Sequence, residues 1–235
     1  KFDLNGEDSL AKVRILSALA FNNRISKSNC LLNGIENIDL EDIKMASKLN
    51  YRIKLLGITE IVDNKLFERV HPCLVEKNNY IGNINGVMNA IILEGKPVGQ
   101  SVLQGEGAGP GATSSALMSD LLSILRGNIK YPFGISSKFR TKIIKFNILK
   151  HTSSSYFRIE VKDLPGVLSS ITKIFAKNKI SIKNLLQSPN KRNKKATIII
   201  ITHKNLEKNY NNLFSNLTNN KFVLKKPTFI RIEKV

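Results

Sequence analysis

Apolar and polar residues alternate along the chain in two different rhythms, and the change from one to the other marks out the elements. Leu10, Val13, Leu16 and Ala20 recur at helical spacing, which predicts a helix from Glu7 to Phe21 with one buried stripe. Gly6 breaks the extended lead-in to it. Ser26 to Leu32 reads as a short strand. Asp39 then opens a second helix whose apolar face is Leu40, Ile43, Met45, Ala46 and Leu49, with Glu41 and Asp42 suited to its N-terminal dipole and Asn50 as its stop. Tyr51–Thr59 and Leu66–Val75 read as strands joined by a turn at Asp63-Asn64. Gly86–Leu93 and Pro97–Leu103 form a second hairpin around Glu94-Gly95-Lys96, and a helix with Leu117, Leu121, Leu122 and Leu125 buried follows.

From Ser136 to Ser155 the chain turns basic and serine-rich, as a linker does, and then the pattern restarts. Tyr156–Val161 alternates as a strand, and Asp163–Leu168 turns into a helix running through Ala176. Strands at Ile180–Gln187 and Lys195–Thr202, a helix at Leu206–Leu217 and a strand at Val223–Ile232 complete the order βαββαβ, the ferredoxin-like arrangement. The expected class is therefore α+β: a helix-backed, mixed or antiparallel sheet over residues 1–135, a linker over 136–153 and a ferredoxin-like domain over 154–235.

A chain of 235 residues that is 42% hydrophobic is long enough for two modest domains with proper cores. No apolar run approaches the roughly 20 residues that span a bilayer, so no membrane partner is expected. The formal charge of +19 raises the question of nucleic acid. However, the lysines are spread along the whole chain among Asn and Ile. The densest basic stretch, Lys191-Arg192-Asn193-Lys194-Lys195, sits at an expected turn without interleaved aromatics. The charge therefore reads as a solvated coat, and nucleic acid is not an expected partner. Cys30 and Cys73 form neither a disulfide framework nor a metal site by themselves, which suits a reducing cytoplasm. The chain starts at Lys1 with neither Met nor a signal peptide, so it is expected to be a piece of a longer protein.

Two stretches carry candidate chemistry. Asp8 and Lys12, four residues apart on the first helix, share a face, with Asp3 just upstream. They read either as an exposed ion pair or as a proton-moving lysine held between substrate-binding carboxylates. Gly105–Asp120 (GEGAGPGATSSALMSD) is a run of small residues between a strand and a helix, a setting in which backbone approaches a ligand closely. Gly107, Gly109 and Ala112 match G-x-G-x-x-A, yet no acidic residue ends a following strand and no P-loop occurs, so a complete nucleotide-binding unit is not expected here. His71, between Val70 and Pro72, has no second ligand or nucleophile nearby in sequence and reads as structural.

With these stretches in hand, the chain resembles the homoserine dehydrogenase family without its N-terminal nucleotide-binding domain. DLNGEDSLAK is similar to the family's substrate segment. GIENIDLEDI, YRIKLLGI, RVHP, NGVMNAI and EGKPVG are similar to its catalytic domain, and GEGAGPGATSSAL to its Gly-rich return to the cofactor domain. Asp163-Leu164-Pro165-Gly166-Val167-Leu168 resembles the signature turn of an ACT domain, in which such enzymes often end. The resemblance implies reduction of aspartate 4-semialdehyde to homoserine with NADP or NAD in amino-acid biosynthesis in the cytoplasm. By the same resemblance, Lys12 transfers the proton and Asp3 and Asp8 hold the substrate. Gly105, Gly107, Ala108, Gly109 and Thr113 lie near the cofactor, as cofactor-binding residues, or at the cleft wall. Asp163, capping the helix after it, and Gly166 belong to an effector site for threonine, and the protein is a homo-oligomer. This piece alone is expected to be inactive. The alternative is a stand-alone ACT-containing protein that senses an amino acid and dimerises without catalysis.

Overall fold

The computed structural model describes residues 3–25, 30–128, 131–190 and 194–234. Helix α1 (Glu7–Phe21) starts at Gly6, whose left-handed φ of 84° turns the chain into the helix, and ends at Asn22, also left-handed. Glu7 and Asp8 complement its first turn. Its buried positions are Leu10, Val13, Ser17 and Ala18, so the stripe is rotated from the expected one. Leu16 is half-buried, Ala20 is exposed, and Ser17 takes the inner place because its hydroxyl donates to Asn23 Oδ1 at 3.2 Å. A two-residue strand, β1 (Leu31–Leu32), is all that is found of the Ser26–Leu32 strand; residues 26–29 lie outside the described residues.

Helix α2 (Leu40–Lys48) begins with a reciprocal capping box between Asp39 and Asp42. Met45 and Ala46 face inward as expected. Leu40 and Ile43 do not: they are 65% and 51% exposed, and Asp42 is fully buried in their stead. The cause is an arginine on a distant strand, described below, that draws the carboxylate inward. Strands β2 (Tyr51–Val62) and β3 (Lys65–Glu76) pair along their whole length across Asp63-Asn64, both left-handed, as a two-residue hairpin with right-handed strand twist requires. Gly57 of β2 lies under α1, and a Cβ there would come within 2.3 Å of Val13 Cγ2. That glycine sets how closely the helix seats on the sheet.

After the short helix α3 (Tyr80–Asn83), β4 (Met88–Gly95) and β5 (Gly99–Glu106) pair only with each other, their turn falling later than expected, at Lys96-Pro97-Val98. Helix α4 (Pro110–Leu125) follows with no buried residue. The four leucines expected in a core are outside it: Leu117, Leu121, Leu122 and Leu125 are 42–72% exposed. An apolar pattern reports that a face is to be covered, not by what, and no described residue covers this one.

The stretch read as a linker is laid against the rest of the chain: Thr141 pairs with Asn22 and Asn23, and the Ile144–Phe146 backbone pairs with Leu66 of β3. Strand β6 (Thr152–Lys162), helix α5 (Val167–Lys177), β7 (Ile182–Asn190), β8 (Lys195–Thr202), the short β9 (Asn205–Leu206), α6 (Glu207–Thr218) and β10 (Thr228–Ile232) give the expected ferredoxin-like order. Its helices cover Phe157, Ile159, Ile198 and Ile200 on one sheet face, with Phe175, Tyr210 and Leu213 completing that core. Residues of opposite parity, Tyr156, Ile199 and Ile230, pack instead with Met45, Ala46 and Leu74. The two halves share this second core because they share a sheet: β10 runs parallel to β3, Arg231 opposite Cys73 and Ile232 opposite Leu74, alongside the parallel pairing of β1 with β3. The long sheet thus runs β3-β10-β6-β8-β7.

Candidate functional site

Lys12 Nζ lies 2.7 Å from Asp8 Oδ2, one helical turn apart, with the two side chains 59% and 42% exposed. The residues ahead of them are held by backbone. Ile35 N–H donates to Leu4 O, Glu7 N–H to Asn5 Oδ1, and Gly34 sits so close that a Cβ would fall 2.0 Å from Leu4 O. The entry to α1 is thereby fixed on the loop after β1, and Gly6 above Leu32 and Val70 fixes it on the sheet. Asp3 is exposed in the entry turn and makes no ion pair with Lys12 among the described residues. Asp8 and Lys12 are thus brought together, with Asp3 nearby in the chain only.

The glycine-rich run continues β5 into α4. Gly105 is the cross-strand partner of Asn89, Gly107 N–H donates to Val87 O, and a Cβ on Gly107 would strike the Asn89 side chain at 1.9 Å. Gly109, with φ 118°, is the residue before the first turn of α4, and Thr113 N–H donates to its carbonyl. Gly105, Gly107, Ala108, Gly109 and Thr113 are all exposed, so the start of α4 offers free backbone N–H groups to an anion. This turn shares no hydrogen bond or ion pair with Lys12.

Gly166 has the left-handed φ, 83°, that its turn needs, and it occupies the capping position of α5 itself. Asp163 does not cap that helix, which corrects the expectation. Three residues ahead of Gly166, it uses its backbone N–H on Lys194 O, and α5 has no side-chain cap.

What pattern reading missed is two buried ionic clusters, one joining the two halves and one inside the ferredoxin-like half. Arg158 of β6 donates from Nε to Asp42 Oδ1 at 2.6 Å and from Nη2 to Asp42 Oδ2 at 2.9 Å and Asp39 Oδ2 at 2.5 Å. Tyr156 O–H also donates to Asp42. Arg158 holds the Asp39 carboxyl below its ordinary range, and burial together with Asp42 pushes the Tyr156 phenol up. Arg231 of β10 is clasped bidentately by Glu207 of α6, both buried. The available signal was a charged residue inside an alternating strand, Arg158 in YFRIEV and Arg231 in FIRIE; alternation places these on a second face, without saying that the face is buried. A cleft of about 990 Å³ is lined by members of both clusters, by Asn5, Glu7 and Gly34 of the first half and by Tyr210 and Phe229 of the second. It borders the segment that carries Asp3 and Asp8.

Comparison with known proteins accounts for both halves. A family model described as homoserine dehydrogenase matches residues 1–122, and one described as an ACT domain matches 155–215. The homoserine dehydrogenase of Neisseria gonorrhoeae is 35% identical over 240 residues, covering 100% of this chain and 55% of the relative. That of Helicobacter pylori is 34% identical, covering 99% and 55%. Among solved structures, a homoserine dehydrogenase from Thiobacillus denitrificans superposes with a TM-score of 0.86 at 33% identity, over 99% of this chain and 54% of that one. One from S. aureus gives 0.65 at 26% identity, over 100% and 55%. The chain therefore spans about half the length of the relatives it matches. With its first 122 residues fitting the family model and its second half an ACT domain, the chain belongs to the homoserine dehydrogenase family.

Proposed function

We propose that the protein to which this chain belongs reduces aspartate 4-semialdehyde to homoserine with NADPH or NADH, in the biosynthesis of threonine, methionine and isoleucine. This chain supplies the substrate-binding and proton-transfer part (residues 1–135) and the ACT regulatory part (154–235). The reading is carried by the Lys12–Asp8 pair at 2.7 Å, on a helix start held by backbone contacts. A bound reduced nicotinamide supplies the hydride to the aldehyde carbon. Lys12 donates its Nζ proton to the oxygen that thereby becomes an alkoxide, and takes the hydroxyl proton in the reverse direction. The cation next to that oxygen also stabilises its developing charge. Asp8 orients the ammonium and, with Asp3, binds the polar end of the substrate.

Gly105, Gly107, Ala108, Gly109 and Thr113 form one wall of the cofactor site, since a turn without side chains and a free helix start suit a phosphate-bearing ligand. The rest of that site lies outside the described residues, as does a cover for the exposed α4. The exposed leucines of α4 and the unpartnered β4–β5 hairpin support assembly as a homo-oligomer. The turn of Asp163 and Gly166 supports binding of a small amino acid, threonine being the pathway end product. No helix among the described residues is long and apolar enough to cross a membrane, and we assign the protein to the cytoplasm.

The test is Lys12→Ala in the full-length enzyme. Homoserine-dependent reduction of NADP or NAD should fall about 10²–10⁴-fold with an unchanged unfolding midpoint; turnover near that of the parent enzyme would remove Lys12 from the reaction.

A further inference from the structure

One loop reaches from the substrate segment to the ACT half, and it is held at nearly every residue. Asn33 continues β1 beside β3, its N–H donating to Val70 O at 2.8 Å. Gly34 then crosses directly over the lead-in to α1, where a Cβ would fall 2.0 Å from Leu4 O and 2.6 Å from Asn5 Cα. Ile35 N–H donates to the same Leu4 carbonyl at 2.8 Å. A turn follows, closed by Ile38 N–H on Ile35 O at 3.0 Å, and Ile38 packs against the core that the two halves share. The loop ends at Asp39, whose Oδ2 accepts from Arg158 Nη2 at 2.5 Å.

Arg158 is the fixed end of this chain of contacts. Its side chain is 2% exposed, Asp42 holds it by two bonds, and Nη2 also donates to Thr228 Oγ1 of β10 at 3.0 Å. The other end has no such shielding. Asp8 and Lys12 lie half-exposed, and Asp3 sits in an exposed turn next to Leu4. We propose that Gly34 and Asp39 are positioning residues of the reaction: the loop between them sets the substrate carboxylates Asp3 and Asp8 in place, and the ACT half sets the loop through Arg158. This rests on the assignment of Asp3 and Asp8 to the substrate made above.

The physical link is a contiguous run of hydrogen bonds and packed groups, the kind of path along which position in one part of a fold constrains another. A methyl at position 34 cannot share space with the Leu4 carbonyl, so loop and lead-in must part by about 1 Å or more. Displacement of that size at a binding group costs up to about 10²-fold. The Asp39 contact acts on the same lead-in from farther off and through one ion pair, so its loss should cost less. The glycine-rich turn of residues 105–113 makes no hydrogen bond to this loop among the described residues, so the cofactor wall is not displaced with it.

The test compares Gly34→Ala, Asp39→Ser and their double variant in the full-length enzyme, with Gly82→Ala as control. Serine keeps a cap on α2 but is too short to reach Arg158. Gly82, in α3, meets a comparable backbone clash, 2.5 Å from Glu76 O, at a different place. In Gly34→Ala the KM for homoserine should rise about tenfold to 10²-fold, with the KM for NADP or NAD unchanged. Asp39→Ser should raise the homoserine KM about three- to tenfold. The double variant should show less than the product of the two effects, because a displaced loop no longer transmits the Arg158 contact. Gly82→Ala should lower the unfolding midpoint without moving the homoserine KM. An unchanged homoserine KM in Gly34→Ala, an equal rise in Gly82→Ala, or independent effects in the double variant overturns the proposal. If Gly34→Ala does not fold, Asp39→Ser, at a side chain 55% exposed, decides by the same KM. Lys12→Ala separates the two levels: if it abolishes turnover while the loop variants bind homoserine normally, the loop fails and the site stands; if it turns over like the parent, the site itself fails.

Discussion

Arg158 and Asp42, 116 residues apart in the chain, form a two-pronged ion pair in which both side chains are essentially shielded from solvent, 2% and 0% exposed. This contact turns α2 so that an aspartate, not Ile43, faces the sheet. It also ties the ferredoxin-like half to the rest of the chain.

Removing one member alone leaves an uncompensated buried charge. Arg158→Met should therefore destabilise the protein by about 3–5 kcal/mol, read from denaturant unfolding. Combining it with Asp42→Leu should recover most of the loss, because an apolar pair of similar volume avoids the desolvation of both charges. A single variant within 1 kcal/mol of the parent on the same scale would mean that the pair contributes no more than an exposed one.

Acid should weaken the fold before it titrates ordinary carboxylates. His151, its ring packed 5.1 Å from that of Phe67, is lowered by burial, and secondarily by Arg69, to about 4. The unfolded chain takes up that proton near pH 6.5, so between 6.5 and about 4 the unfolded state binds more protons than the folded one. Stability from this group is complete above pH 6.5 and is lost as pH falls through that window. His71, also lowered by burial and by Arg231, acts in the same direction. Urea unfolding at a series of pH values should show this slope, and His151→Gln should make it shallower; an unchanged slope would assign the effect to other groups.

Gly57 offers a test of how α1 is seated. Gly57→Ala puts a methyl 2.3 Å from Val13 Cγ2, so helix and sheet must separate or distort, at about 1–3 kcal/mol. Because Lys12 is the neighbour of Val13, activity of the full-length enzyme should fall as well. Val13→Ala added to Gly57→Ala should restore much of the stability by opening the space, and no restoration would place the strain elsewhere.

Much of this could be read from residue patterns, and the exceptions share a cause. Helix α1 and the β2–β3 hairpin have strong local signals, namely helical spacing after Gly6 and an Asp63-Asn64 turn between alternating runs, and both form as expected. The Asp8–Lys12 pair is likewise set by i, i+4 geometry. The buried face of α2, the docking of 141–146 and the parallel seam of β3 with β10 depend on residues far away in sequence, which no local period reports. Asp163 misled for the opposite reason: an aspartate shortly before a helix resembles a cap, but the backbone reversal at Gly166 starts α5 without one. His71 reads as structural alone in sequence, and the fold buries it beside Cys73 and Glu233, the latter a neighbour supplied from the far end of the chain that no local pattern reports.

The role of Lys12 can be separated from its charge. Arginine keeps a cation beside Asp8 but does not give up a proton in the accessible pH range, because its guanidinium stays protonated. If Lys12 is the proton donor, Lys12→Arg in the full-length enzyme should keep the folded state and much of the substrate affinity. Its kcat should nevertheless drop about 10²–10⁴-fold. If Lys12 acts only by positive charge, arginine should substitute for it within about tenfold, since one lost or displaced hydrogen bond is worth roughly that factor. Measuring kcat and KM for Lys12→Arg beside Lys12→Ala distinguishes the two: equal losses in both variants identify proton transfer, and rescue by arginine identifies an electrostatic anchor.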